Sequence, residues 1–196
     1  MASLVTSTVN ANTVWHAGNY GRVIDRGNPG SGTALALTSL DEVHYYSASS
    51  ISTIDISTTM VENAVYQLSY TTNGTGATNI DIYLIPNYTS YASEFRSTYW
   101  ASMPSVSPPR YEFLDQALSY FYYDHQNGSA GTSPSGTFLI YNFRALKQTN
   151  YFGGDTNSVC SGTSRWNNTT TQWTNVGTLG GLQTATDVKV WVRRIS

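Results

Sequence analysis

Twelve carboxylates, three histidines and a single cysteine make up the acid, base and thiol chemistry of this chain of 196 residues. The acids are Asp25, Asp41, Glu42, Asp55, Glu62, Asp81, Glu94, Glu112, Asp115, Asp124, Asp155 and Asp187. A glycoside hydrolase needs two carboxylates facing each other across a cleft, and spacing along a chain does not place such a pair. Asp55 and Asp81 fall on the polar side of alternating stretches, where a half-solvated sheet puts its outward residues. His16, His44 and His125 make no H-x-H, H-x-x-x-H or H-E-x-x-H spacing, so no metal site is expected within one chain. A trimer axis gathering three copies of His16 would be another route to a metal; packing or hydrogen bonding between chains is the plainer role. Cys160, beside Val159, reads as a small buried hydrophobe, and no Cys–His signature activates it. There is no Walker-type or G-x-G-x-x-G loop. The expectation is a protein without enzymatic activity and without a cofactor.

Binding chemistry is better represented. Aromatic rings stack on the apolar faces of sugars while Asn, Asp, Ser and Thr supply hydrogen bonds. Two groups of residues suit that task. Tyr88, Tyr91, Tyr99 and Trp100 lie in a loop-like middle segment, and Tyr151, Phe152, Asp155 and Asn157 surround the stretch GGDTN. The competing use of such residues is core packing or a subunit interface, where Tyr and Trp are also enriched. Sequons such as Asn73-Gly-Thr and Asn168-Thr-Thr are read as chance matches in a chain rich in Asn, Ser and Thr.

The composition says what must position these residues. Charged residues are 11 % of the chain, against a usual share of about 25 %. Aromatics are 13 %, with Thr and Ser in long runs, a composition that fits pleated, half-buried surfaces. The net charge is −2 and the pI about 5.8, so no basic stripe exists for nucleic acid. No apolar run approaches the roughly 18 residues of a membrane span, so membrane insertion is not expected. The N-terminus lacks the pattern of a secretory signal, and one cysteine permits no internal disulfide. These features together suit a protein made in a cytoplasm and later exposed on a particle.

Residues 1–32 carry few large apolar side chains and end in GNPGSG, which reads as an N-terminal arm and linker. Residues 33–196 read as the main domain. Strand patterns occur at 33–38, 43–47, 51–57, 64–72, 80–86, 137–146, 158–166, 171–179 and 187–195. Asn73-Gly-Thr-Gly between two alternating stretches predicts a hairpin. NNTT predicts a turn pairing 158–166 with 171–179. Residues 88–100 read as a short helix or irregular loop, and 110–124 as either helix or strand. Many short strands with Gly, Asn and Pro punctuation imply an all-β fold. The form expected is an antiparallel β-sandwich head of jelly-roll type with a short N-terminal arm.

Val14-Trp15-His16-Ala17-Gly18-Asn19, followed by Gly21, resembles a VWHAGNDG element of tail-fibre proteins of tailed bacteriophages, with Tyr20 where Asp is usual. WTNVGTL at 173–179 is similar to a WTSLGT segment of phage fibre and virion proteins, and the ending VWVRRI at 190–195 is similar to their VRRI/L terminus. The resemblance implies a homotrimeric virion protein whose head binds a host-surface glycan or protein. It also implies an N-terminal arm held by another virion protein, with Val14, Trp15, His16 and Asn19 at the junction of arm and trimer. Only 13 residues precede the first element, which leaves open a capsid decoration protein that stabilises the shell. A polysaccharide depolymerase is a further alternative, although the repeats of a long β-helix are absent from this sequence.

Overall fold

The computed structural model describes residues 6–9, 12–16, 22–26, 35–37, 40, 42–73, 80–102, 116–125, 134–154, 159–185 and 187–196. In chain order the strands are β1 (Thr6–Val9), β2 (Asn12–His16), β3 (Arg22–Asp25), β4 (Leu35–Ala36), β5 (Glu42–Ala48), β6 (Ile51–Thr59), β7 (Ala64–Asn73) and β8 (Ile80–Ile85). They continue as β9 (Phe95–Ser102), β10 (Gln116–Leu118), β11 (Phe121–His125), β12 (Ser135–Phe143), β13 (Leu146–Gly154), β14 (Val159–Trp166), β15 (Asn175–Ala185) and β16 (Asp187–Arg194). A 3-10 turn at Pro86–Tyr88 is the helical element among the described residues.

Two sheets pack face to face. The larger has the order β1-β2-β3-β5-β16-β7-β12-β13-β14-β9-β10 and the smaller β11-β8-β15-β6-β4. Eight strands form the sandwich proper. In the larger sheet they neighbour as β5-β16-β7-β12 and in the smaller as β6-β15-β8-β11. The first of the eight therefore pairs with the last, the third with the sixth, the second with the seventh and the fourth with the fifth. That is the wrapping of a jelly roll. Two insertions widen one sheet only. The pair β9-β10, inserted between the fourth and fifth strands, meets β13-β14, inserted between the sixth and seventh, along the antiparallel β14–β9 register.

Alternation explains which face is inside. Ala64, Tyr66, Leu68 and Tyr70 of β7 are buried, while Val65, Gln67 and Ser69 turn outward. Val188, Val190 and Val192 of β16 and Ile54 and Ile56 of β6 do the same for their strands. The core is unusually aromatic. Phe95 stacks on Trp166 at 5.4 Å, Phe121 on Trp173 at 4.8 Å, and Phe95 meets Phe121 edge-on at 4.7 Å. Ring pairs of this kind add about 0.5–1.5 kcal/mol each beyond the area they bury.

Two predicted pairings are corrected. β7 and β8 are not a hairpin: β7 lies between β16 and β12 in the larger sheet, and β8 between β11 and β15 in the smaller. Residues 74–79, including most of the predicted turn, lie outside the described residues. Likewise β14 pairs with β13 and β9, whereas β15 pairs with β6 and β8. In both places the chain crosses from one sheet to the other, as successive jelly-roll strands do. The loop-like middle contains the strand β9, and 147–154, unassigned from sequence, forms β13. The larger sheet also continues into the segment read as an arm. β3 pairs in parallel with β5, and Arg26 is buried, its N–H bonded to the Tyr45 carbonyl at 2.7 Å.

Candidate functional site

The outward residues of the larger sheet form an ordered grid, because antiparallel neighbours place directly opposed residues in rows across the strands. One row runs over seven adjacent strands. Tyr45 opposes Trp191, Trp191 opposes Ser69, Ser69 opposes Thr137, Thr137 opposes Phe152, Phe152 opposes Ser161, and Ser161 opposes Trp100. Aromatic rings are thus separated by one or two small hydroxyl residues along a single line from Trp191 to Trp100. Phe152 is 66 % exposed and Trp100 40 %. Trp191 is half-buried, its ring tilted against Tyr45 at 5.6 Å.

Between Trp191 and Phe152 the face is hollowed into a trough of about 670 Å³. Ser69, Thr71, Ser135 and Thr137 contribute its floor, and Gly154 and Val159 lie toward the Phe152 side. The two aromatic walls stand three strand spacings apart, about 14 Å. The floor hydroxyls are held in place: Ser69 Oγ and Thr137 Oγ1 share a hydrogen bond of 3.0 Å, and Gln67 Nε2 donates to Ser69 Oγ at 3.1 Å. Two charged side chains flank Trp191 along its own strand, and each has a partner. Lys189 pairs with Asp187 at 3.1 Å, and Arg193 donates to Gln67 Oε1 at 2.6 and 2.9 Å.

The predicted binding residues divide. Trp100 belongs to the row, as does Phe152. Tyr99 and Tyr151 point the other way along the same strands and are 3 % and 2 % exposed, so their rings are core. Tyr151 Oη meets Tyr70 Oη at 2.7 Å, and inward Gly136 and Gly153 leave the space its ring fills. Tyr91 is half-buried on Trp166 at 4.7 Å. Tyr88 is 41 % exposed, yet its hydroxyl donates to the Ile56 carbonyl at 2.9 Å, and burial pushes its pKa up to about 12. Neither lines the trough. Asp155, Asn157 and Asn19 lie outside the described residues. Val14, Trp15 and His16 form part of β2, opposed by Ile24, Val23 and Arg22 of β3. Trp191 was legible only as an outward residue of a strand; nothing local marks it as facing Phe152.

A second polar cluster lies inside. His44 is fully buried, with Nδ1 2.8 Å from Thr58 Oγ1, and Tyr46 Oη reaches the same hydroxyl at 2.7 Å. Arg26 donates to Ser57 Oγ at 3.0 Å. Burial, reinforced by the Arg26 charge, lowers the His44 pKa to about 4, so the ring is neutral at neutral pH. Its Nε2 has no partner among the described residues.

The stretch 173–179 serves the fold. Trp173 is buried against Phe121, and Asn87 clamps the backbone beside it. Asn87 Oδ1 accepts from the N–H groups of Thr174 and Asn175 at 2.9 Å each, and its Nδ2 donates to the Gln172 carbonyl at 2.8 Å. Gly177 has φ +102°, and a Cβ there would lie 1.9 Å from the Ile85 carbonyl oxygen. A cavity of about 60 Å³ beside Trp173, lined by Met60, Asn142 and Lys147 among others, has room for a few solvent molecules at most.

Among the described residues no three His, Cys, Asp or Glu side chains gather as a metal site. Glu94 is engaged by Trp166 Nε1 at 2.8 Å and Asn168 Nδ2 at 3.0 Å, and Asp55 accepts from Thr178 Oγ1 at 2.5 Å. No described helix is long and apolar enough to cross a membrane.

No family model matches this chain, and no curated relative does. Among solved structures it is similar to an uncharacterized protein from Mycobacterium paratuberculosis, at 7 % identity and a TM-score of 0.29, over 78 % of this chain and 81 % of that one. A glycosyl hydrolase family protein from Mycobacterium fortuitum is similar at 11 % identity and a TM-score of 0.25, over 73 % and 74 % of the two chains. Likenesses this slight carry no argument about fold or activity.

Proposed function

We propose that this chain is the head of a bacteriophage virion attachment protein, of the tail-fibre or spike kind, that binds a host-surface receptor through the outer face of its larger sheet. The observation that carries the reading is the row of Trp191, Phe152 and Trp100 across that face. Solvent-facing aromatics separated by hydroxyl residues offer apolar area with orienting hydrogen bonds, the makeup of a recognition surface. A low charge and the resemblance of residues 14–19, 173–179 and 190–195 to fibre proteins support the same reading. The head works as one of three copies on the particle surface, with the N-terminal segment toward its virion partner. The reading assigns it recognition and no catalysis.

The second reading is a capsid decoration protein. It is favoured by β1–β3, which prolong the larger sheet beyond the jelly roll and, among the described residues, end it in an outer strand edge of the kind a neighbouring subunit can extend. Adsorption tests the first reading. Purified protein in micromolar excess should compete with adsorption of particles that carry it, and Trp191→Ala should compete less well. Absence of competition by the wild-type protein overturns the attachment role. Densitometry of virion proteins then decides for decoration if the copies number in the hundreds rather than a few dozen.

A further inference from the structure

We infer that the trough and the aromatic row form one extended site for an uncharged polysaccharide, lying across the strands from Trp191 toward Trp100. The inference rests on the attachment reading for its biological setting and on the sheet register for its chemistry.

The register fixes the geometry. Trp191 and Phe152 are three strand spacings apart, and Phe152 and Trp100 are two apart, which places the three rings on a line of about 24 Å. A pyranose ring in a linear chain advances by a length close to one strand spacing. A chain crossing the strands thus meets an aromatic ring, then hydroxyl residues, then a ring again, in step with its own repeat. Ser69 and Thr137 lie between the first two rings, and Ser161 between the second two. Ring faces cover the apolar C–H faces of sugars, and the serine and threonine hydroxyls donate to and accept from sugar hydroxyls. An extended peptide would seek an open strand edge for its backbone hydrogen bonds, whereas every strand under this row from β16 to β14 is paired on both sides.

Charge narrows the class. The row holds no Asp, Glu, His, Lys or Arg: it consists of Tyr45, Trp191, Ser69, Thr137, Phe152, Ser161 and Trp100. The trough is lined by Ser, Thr, Gly, Val and aromatic residues, with no Asp, Glu, His, Lys or Arg among them. Of the cations on β16, Lys189 is paired with Asp187, whereas Arg193 donates to the neutral Gln67 and keeps its charge. A sulfated or uronate-rich polymer would lose water from its anions along a row that carries no charge of its own, with Arg193 to meet them only at the Trp191 end, which is unfavourable. A neutral hexose polymer incurs no such loss. The trough also divides the work along the site. Short ligands are held between Trp191 and Phe152, and longer ones reach Trp100 as well.

Affinity electrophoresis of the full chain in gels containing soluble β-glucan, α-mannan or dextran tests the class, with alginate and hyaluronan as anionic probes. The expected result is retardation by at least one neutral polymer. Trp191→Ala and Phe152→Ala should weaken it about tenfold. Thr53→Ala, on the outer face of the smaller sheet, should match wild type. Calorimetry with graded fragments of the retarding polymer tests the extent of the site. Trp100→Ala should spare fragments of about three units and weaken those of about six. Near-ultraviolet circular dichroism checks that each variant is folded. Retardation by the anionic polymers alone, or by none, overturns the inference. So does a change of sedimentation state in Trp191→Ala or Phe152→Ala, which would make the face a contact between copies. Wild-type protein that blocks adsorption without binding any polysaccharide keeps the attachment role and loses this site; loss of both activities removes both.

Discussion

Acidification is the perturbation that the interior of this sandwich should feel most directly. His44 is fully buried against Thr58, whose hydroxyl also meets Tyr46, with the Arg26 charge acting on it, and its pKa falls from 6.5 to about 4. The neutral ring is the form that the fold accommodates. In the unfolded chain the ring takes up a proton as pH drops below about 6.5, whereas in the fold it does so only near 4. Stability is therefore fully present above pH 6.5, declines as pH falls toward 4, and levels off below. A depression of 6.5 less 4 corresponds to about 3 kcal/mol at 1.36 kcal/mol per unit. That is a large share of the 5–15 kcal/mol of an ordinary domain. Denaturant midpoints between pH 7 and 4 for wild type and His44→Asn give the comparison, since carboxylates elsewhere affect both proteins alike. The gap between the two stability curves should narrow by about 3 kcal/mol over that window. The His44 proton resonances should titrate near 4. Parallel stability curves, or titration above pH 6, would show that solvent reaches the ring and that the buried cluster is misread.

Three further outcomes follow from the structure and the resemblance. Gly177→Ala forces a Cβ to within 1.9 Å of the Ile85 carbonyl oxygen at φ +102°; a loss of at least about 3 kcal/mol is expected in chemical denaturation, and a loss under 1 kcal/mol would refute the close approach. Asn87→Ala removes the clamp on Thr174, Asn175 and Gln172 and should cost about 2 kcal/mol. Asn87→Gly, which relieves the positive φ of 53° without restoring the bonds, should recover only part of that in the same melts. Trp15→Ala should reduce trimer formation or virion attachment by sedimentation and particle co-purification while the head melts normally. A variant that stays trimeric and particle-bound would remove Trp15 from the junction.

What the sequence made legible was the face of a strand and not its partner. Alternation in 64–70 and 188–192 marks Tyr66, Leu68, Val190 and Val192 as inward, and all are buried. The same alternation fits a hairpin or a crossing between sheets equally well. Asn73-Gly-Thr-Gly therefore pointed to a pairing that the jelly-roll wrapping does not use. β13 escaped notice because its inward positions are Lys147, Thr149, Tyr151 and Gly153, which show no hydrophobic period. Thr149 is tolerated inside because Tyr123 Oη lies 2.7 Å from its hydroxyl, and Lys147 because it donates to the Asn168 carbonyl and packs over Trp166. The trough was illegible for a related reason. Trp191, Phe152 and Trp100 fall into one row only through registers linking β16, β7, β12, β13, β14 and β9, and no local pattern encodes a register.

The pairing of the first jelly-roll strand with the last has a consequence for how this chain comes to fold. β5 has β16 beside it, so the central ladder of the larger sheet closes only when the C-terminal strand is available. β7 also waits for β16, and β6 for β15. A topology dominated by such distant pairings folds slowly, because loop-closure entropy is spent before the contacts reward it. On a ribosome the early strands emerge with their partners still unmade, and a chain cut short before β16 has no complete central ladder to fall back on. Completion of β16 thus has to precede assembly of the row. A head that presents the aromatic row at all, with Trp191 in its place on β16, is a head whose chain has been made through β16.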